Sequence, residues 1–209
     1  MTKTILSFLC CTVILTACKH EFSQNKTYNI DSVVSENEMY IISQTLPDLV
    51  KMRRTIPPPY PGENMDQYAK FKVEAQKRID TSNFTLYLKD TLIIPDYKYF
   101  PNFPDTEFSG LPKALVSDTL KASPINFDKL RLPFELLKEK PAFKNWNSLS
   151  YSFLGYASYS RIIFSNDFNK ACFYFELHCG LLCGFGNVYY CEKKDGHWVI
   201  FREVPIWIS

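Results

Sequence analysis

An α+β fold, with N-terminal helices packed on a C-terminal antiparallel β-meander, is what this 209-residue sequence predicts, and three observations predict it. From Ser160 to the end, runs of aromatic and β-branched residues alternate with polar ones and are punctuated by turn dipeptides, the period of half-buried strands. Two stretches between residues 35 and 80 instead carry apolar residues at helical spacing. Hydrophobic residues make up 46% of the chain and aromatics 16%, enough to close a core around both kinds of element.

Residues 1–17 come first and belong to neither class. Lys3, an apolar run from Ile5 to Leu15 and small residues before Cys18 have the layout of a secretory signal, and the run is too short to span a bilayer. The stretch Leu15 to Cys18, "LTAC", resembles the lipobox of bacterial lipoproteins, whose signal is cut before a cysteine that is then acylated. That resemblance implies that Cys18 is the lipidated N-terminus of the mature chain and that Cys10 and Cys11 leave with the signal. Acyl chains, each buried methylene contributing about 0.8 kcal/mol, would hold the protein on a lipid membrane without crossing it. A cell-envelope location follows, with the outer membrane favoured over the inner. Residues 18–34 open on polar residues and read as a flexible tether, and 35–209 read as a single domain.

Within that domain, Ser35 and Glu38 have capping-box spacing, and Ile42, Leu46, Leu49 and Val50 recur at helical intervals, so a helix begins near Glu36 and Pro47 ends or kinks it. "PPPYPG", residues 57–62, is a stiff connector. A second helix runs from Asn64 to Asp80, with Met65, Tyr68, Lys72, Ala75 and Ile79 on one stripe. Asn83 to Ile94 reads as a strand pair around Lys89 and Asp90, residues 95–124 as loop, and Phe127 to Lys140 as a short helix interrupted at Pro133.

The meander is clearer. Ser160–Phe164, Lys170–His178, Asn187–Lys194 and His197–Val204 are strands, the last two joined by Asp195-Gly196, a strong hairpin signal, and "IWIS" extends the sheet. Ala171, Phe173, Phe175 and Leu177 form the core face of their strand, while Cys172, Tyr174, Glu176 and His178 share the other. Glu176 reads as a solvated strand residue rather than a catalytic carboxylate.

Between two of these strands lies "HCGLLCGFG", residues 178–186. Strands ending near His178 and restarting near Asn187 put Cys179 and Cys183 at a hairpin tip, where Gly180, Gly184 and Gly186 permit positive φ. An exported protein lives where disulfides persist, so a Cys179–Cys183 bridge is expected. Zinc needs four ligands, and no second close cysteine pair accompanies this one, so no metal is expected. Thioredoxin-like chemistry needs a C-x-x-C pair at a helix N-terminus, whereas this spacing is one residue longer and lies among strands. Cys172 and Cys191 face each other if paired residues sum to 363 and miss by one if they sum to 362. Packing as small apolar side chains is the favoured reading, and a Cys172–Cys191 bridge is the alternative.

Other classes are disfavoured. A formal charge of +2 without a basic stripe argues against nucleic acid, and no P-loop, G-x-S-x-G, H-E-x-x-H or G-x-G-x-x-G occurs, so no cofactor and no catalytic residue is assigned. The segment from Tyr159 to Ser209 resembles the ending of a group of uncharacterised Gram-negative bacterial lipoproteins with S-R-aliphatic-x-F, A-x-x-Y, C-G-x-x-C-G and K-x-G-x-W motifs closing on W-I-S. That group implies no activity. Its aliphatic residues at the positions of Cys172 and Cys191 imply packing there. The order of helices followed by a curved meander is also similar to cystatin-like and NTF2-like domains, which implies fold alone. Two functions follow as expectations: a non-enzymatic binding or structural module with an envelope protein partner, or a small-ligand or hydrolytic domain with a pocket between helices and sheet.

Overall fold

A computed structural model describes residues 30–51, 59, 61–62, 64–81, 83–95, 108, 110–117, 119–142, 152–180 and 183–209. The expected signal, Cys18 and the first part of the tether lie outside the described residues, as do Pro57, Pro58 and Tyr60 of the proline-rich connector. Helix α1 spans Ile30–Leu49, and α2 spans Met65–Thr81. The strands β1 (Thr85–Leu88) and β2 (Thr91–Leu92), the short helix α3 (Leu111–Leu115), and the strands β3 (Ser123–Pro124) and β4 (Glu135–Leu136) follow. The rest is sheet: β5 (Phe153–Tyr159), β6 (Ile163–Phe164), β7 (Lys170–Gly180), β8 (Cys183–Lys194) and β9 (His197–Ile208). The protein is therefore α+β, with its helices in the N-terminal part and a mostly antiparallel, mixed sheet of 7 strands completed by the C-terminal half.

Helix α1 forms because Met39, Ile42, Leu46 and Leu49 repeat at three and four residues, and all are buried. It starts at Ile30 rather than near Glu36, which places Glu38 inside the helix and not at its cap. Its carboxylate, 1% exposed, instead accepts Nε of Arg161 at 2.7 Å and the backbone N–H of Ile162 at 3.1 Å, pinning the helix to the chain after β5. Pro47 sits in the last turn and neither ends nor shortens the helix before Leu49. Helix α2 does begin where expected, since Oδ1 of Asn64 accepts the N–H groups of Asp66 and Gln67. Of its expected stripe, Ala75 and Ile79 are buried, and Met65 is exposed.

The main sheet has the order β4-β1-β5-β7-β8-β9, with β6 also paired to β7. β1 lies parallel to both β4 and β5, so the two strands expected in Asn83–Ile94 exist but do not pair with each other; β2 pairs with β3 instead. The helix expected over Phe127–Lys140 is replaced by a single 3-10 turn, Phe127–Lys129, and by β4. Pro133 removes a donor at mid-segment, and β4 finds its partner in β1, far back in the chain. β5, between β1 and β7, lies outside every expected strand.

The hairpin β8–β9 closes on Asp195 and Gly196 with positive φ at both, as a two-residue turn of this handedness requires. Its tip is clasped to α1: the Tyr40 hydroxyl donates to the Gly196 carbonyl, Oε1 of Gln44 accepts the Trp198 N–H, and Nε2 of Gln44 lies 3.0 Å from Nδ1 of His197. Below the clasp, α1 fills the space over the sheet. Ile42, Leu46, Tyr159, Phe173 and Phe175 are wholly buried in one cluster. The Thr45 hydroxyl donates to the Ile41 carbonyl and accepts from the Tyr159 hydroxyl at 3.0 Å, which satisfies the most deeply buried phenol.

Candidate functional site

Alternation along β7 sends Ala171, Phe173, Phe175 and Leu177 to the core under α1. Cys172, Tyr174, Glu176 and His178 go to the second face. That face is not simply solvated. Phe108, Leu111 and Leu115 bury Cys172 and Tyr174 together with Val188 and Tyr190. Glu176 and His178 lie beyond that cover, Glu176 partly exposed and His178 exposed.

The register decides the cysteine alternatives. Ala171 pairs with Cys191 and Cys172 with Tyr190, a sum of 362, so Cys172 and Cys191 point to opposite faces and into different apolar clusters. The alternative Cys172–Cys191 bridge is corrected on this ground: the irregularity in the hairpin falls after His178, too near the tip to shift the pairing of the longer strands. Burial pushes the Cys191 thiol up to about 12. Cys179 and Cys183 stand at disulfide distance across the tip, with Cα atoms 5.0 Å apart and Gly180 paired to Cys183. Closing so short a loop contributes about 2 kcal/mol in the chain-entropy account.

The glycines of this stretch do something other than turn. Positive φ occurs at Gly62, Gly110, Gly155 and Gly196, and at none of Gly180, Gly184 and Gly186, because β7 and β8 run on as extended strands to the tip. Gly186 pairs with Trp207 on β9, and a Cβ there would collide with Nε1 of that indole and with the Tyr174 hydroxyl. A Cβ on Gly184 would stand 3.1 Å from the same ring. The two glycines are the floor on which Trp207 lies.

From that floor a one-way chain of donors runs across β9 and β7. Nε1 of Trp207 donates to the Tyr174 hydroxyl at 2.7 Å, and that hydroxyl donates to Oε2 of Glu176 at 2.9 Å. Burial, opposed by the indole bond and reinforced by the carboxylate, pushes the Tyr174 phenol well above its ordinary range, so it stays a donor at neutral pH. The His178 ring stacks on Trp207 with centroids 4.9 Å apart. Along the same face, Tyr156 on β5 pairs with His178 and contacts Tyr87 on β1. Sequence alternation placed Glu176, Tyr174 and His178 on one face and read Tyr174 and Trp207 as aromatics that pack in the meander; that Trp207 joins this cluster from 29 residues or more away, over the β8 floor, is set by the register.

This arrangement holds a carboxylate in place; it presents no nucleophile with a base beside it, and the described residues contain no group of three metal-ligating side chains. The space between α1 and the sheet, where a ligand pocket was the alternative expectation, is filled by the core described above. Open grooves lie on the outer flank of α1, one of about 510 Å³ lined by Glu36, Tyr40, Gln44 and Arg131 among others. Comparison of the chain with family models, with curated proteins and with solved structures finds no match.

Proposed function

We propose that the protein is an envelope lipoprotein, anchored to a lipid membrane through acylated Cys18, whose α+β domain is a non-enzymatic binding or structural module for an envelope protein partner. The observation that carries this is the filled seam: α1 occupies the concave side of the sheet with Ile42, Leu46, Tyr159, Phe173 and Phe175, all without exposed surface. A domain closed there offers partners its outer surfaces, the second sheet face and the α1 flank, rather than an interior cavity. The lipobox resemblance around Cys18 supplies the anchor and the export route.

Fractionation of cells expressing Cys18→Ser tests the anchor. The native chain goes with the membrane and is released by detergent, whereas the variant goes to the soluble fraction. A variant that stays with the membrane after a salt wash would remove acylation from the account. In-cell cross-linking from residues of the α1 flank and of β7 tests the module, with a discrete adduct to another envelope protein as the expected product. Adducts absent from every surface position would remove the partner.

A further inference from the structure

Gln44 reaches from α1 to two neighbours at the β8–β9 tip, and the first dictates the second. The Trp198 backbone N–H can only donate, so the amide atom 2.6 Å from it is the oxygen, Oε1. That leaves the amide NH2 group facing Nδ1 of His197 at 3.0 Å. An NH2 group only donates, so Nδ1 must present its lone pair and the ring proton must sit on Nε2. A protonated imidazole carries hydrogen on both nitrogens and offers no acceptor. Protonation of His197 therefore cancels this bond. Turning the amide over does not recover it, because the NH2 group would then meet the Trp198 N–H.

We propose that Gln44 and His197 form a pH-sensitive latch, which holds the β8–β9 tip on α1 while the ring is neutral and loosens when the ring takes up a proton. His197 is exposed, so solvent reaches the ring. Lys194, its partner across the ladder, is paired with Glu192. Asp195 lies in the turn, and Lys193 sits over the Trp198 ring. On α1 the Tyr40 hydroxyl donates to the Gly196 carbonyl, a bond that protonation leaves in place, so the tip loosens without detaching. Glu36, about two turns before Gln44, is paired with Lys129, and Asp48 lies about one turn beyond Gln44. Among the described residues none of these groups is hydrogen-bonded or ion-paired to the His197 ring. Tyr40 and Gln44 also line the groove of about 510 Å³ on the α1 flank, so the latch steadies one wall of that groove. It works within the chain itself, whether or not a partner binds there.

Nitrogen-15 NMR of the isotope-labelled chain tests the latch in two steps. At neutral pH the His197 ring is expected as the Nε2–H tautomer. As pH falls from about 8 to about 5, protection of the Trp198 N–H against hydrogen exchange, taken relative to an unstructured chain, should drop about fivefold, in step with the His197 ring titration. His197→Asn, whose side-chain oxygen replaces Nδ1 as acceptor without titrating, should keep the protection and lose its pH dependence. Exchange at Phe173 in β7 reports whether each sample stays folded. An Nδ1–H ring in the native chain at neutral pH would overturn the latch, and that measurement needs no variant. Trp198 protection that ignores pH, or that falls equally in His197→Asn, would overturn it as well.

Discussion

Gly186 shows how much one residue without a side chain can decide. It lies in extended backbone that any residue adopts, so its requirement is space: Trp207 and the Tyr174 hydroxyl occupy the volume of the missing Cβ. Gly186→Ala must displace the indole, and overpacking of this kind costs about 2 kcal/mol. Denaturant unfolding should show a lower midpoint at unchanged slope, and the Trp207 Nε1–H resonance should lose its hydrogen-bonded shift. A variant as stable as the native chain with that resonance unmoved would contradict the packing role. None of this is legible locally, because glycines beside cysteines read most naturally as turn residues. Glu38 misleads in the same way: its spacing from Ser35 spells a cap, yet its partner Arg161 is 123 residues distant.

Among the elements, β7, β8 and β9 were legible because aromatic and aliphatic residues recur through their 11 or 12 residues and Asp-Gly marks one reversal. β5 was missed because "FLGYASY" mixes glycine, alanine and serine into a strand buried on both sides, so its alternation fades. β1 and β4 are short, and their parallel pairing is set by long-range packing that no spacing encodes. The long β7–β8 hairpin ends in the Cys179–Cys183 closure, and its energetic share can be measured. Replacing both cysteines by serine should lower stability by about 2 kcal/mol while leaving the β7–β8 register intact, read as unchanged cross-strand contacts between Phe173 and Tyr189. A loss of those contacts would mean that the closure sets the register rather than fastening it. At the free edge, β9 carries Pro205 and two irregularities in its pairing with β8, features that discourage further strands from adding to this sheet. Partners are accordingly expected on faces rather than at the edge.

For the whole molecule, the two sides of the sheet divide the work. One is sealed by α1, with the buried Glu38–Arg161 pair and the Gln44 clasp fixing the helix along its length. The other is covered by α3 over Cys172 and Tyr174, and ends in the Glu176, His178 and Trp207 cluster. Composition and charge made a globular chain without affinity for nucleic acid the expected outcome, and helices before meander predicted the class of fold. The make-up of the second face depended on the register of β8 against β9, which brings Trp207 to Gly186. An anchor at Cys18 would hold this second face in the envelope on a membrane surface. Intact mass of the protein purified from membranes, with thiol labelling, tests that account most directly. It predicts a chain beginning at Cys18 and carrying acyl groups, with no label in the native state, label at Cys172 and Cys191 only after unfolding, and label at Cys179 and Cys183 only after reduction as well. A chain that keeps residues 1–17, or that begins at Cys18 without acyl groups, would contradict it.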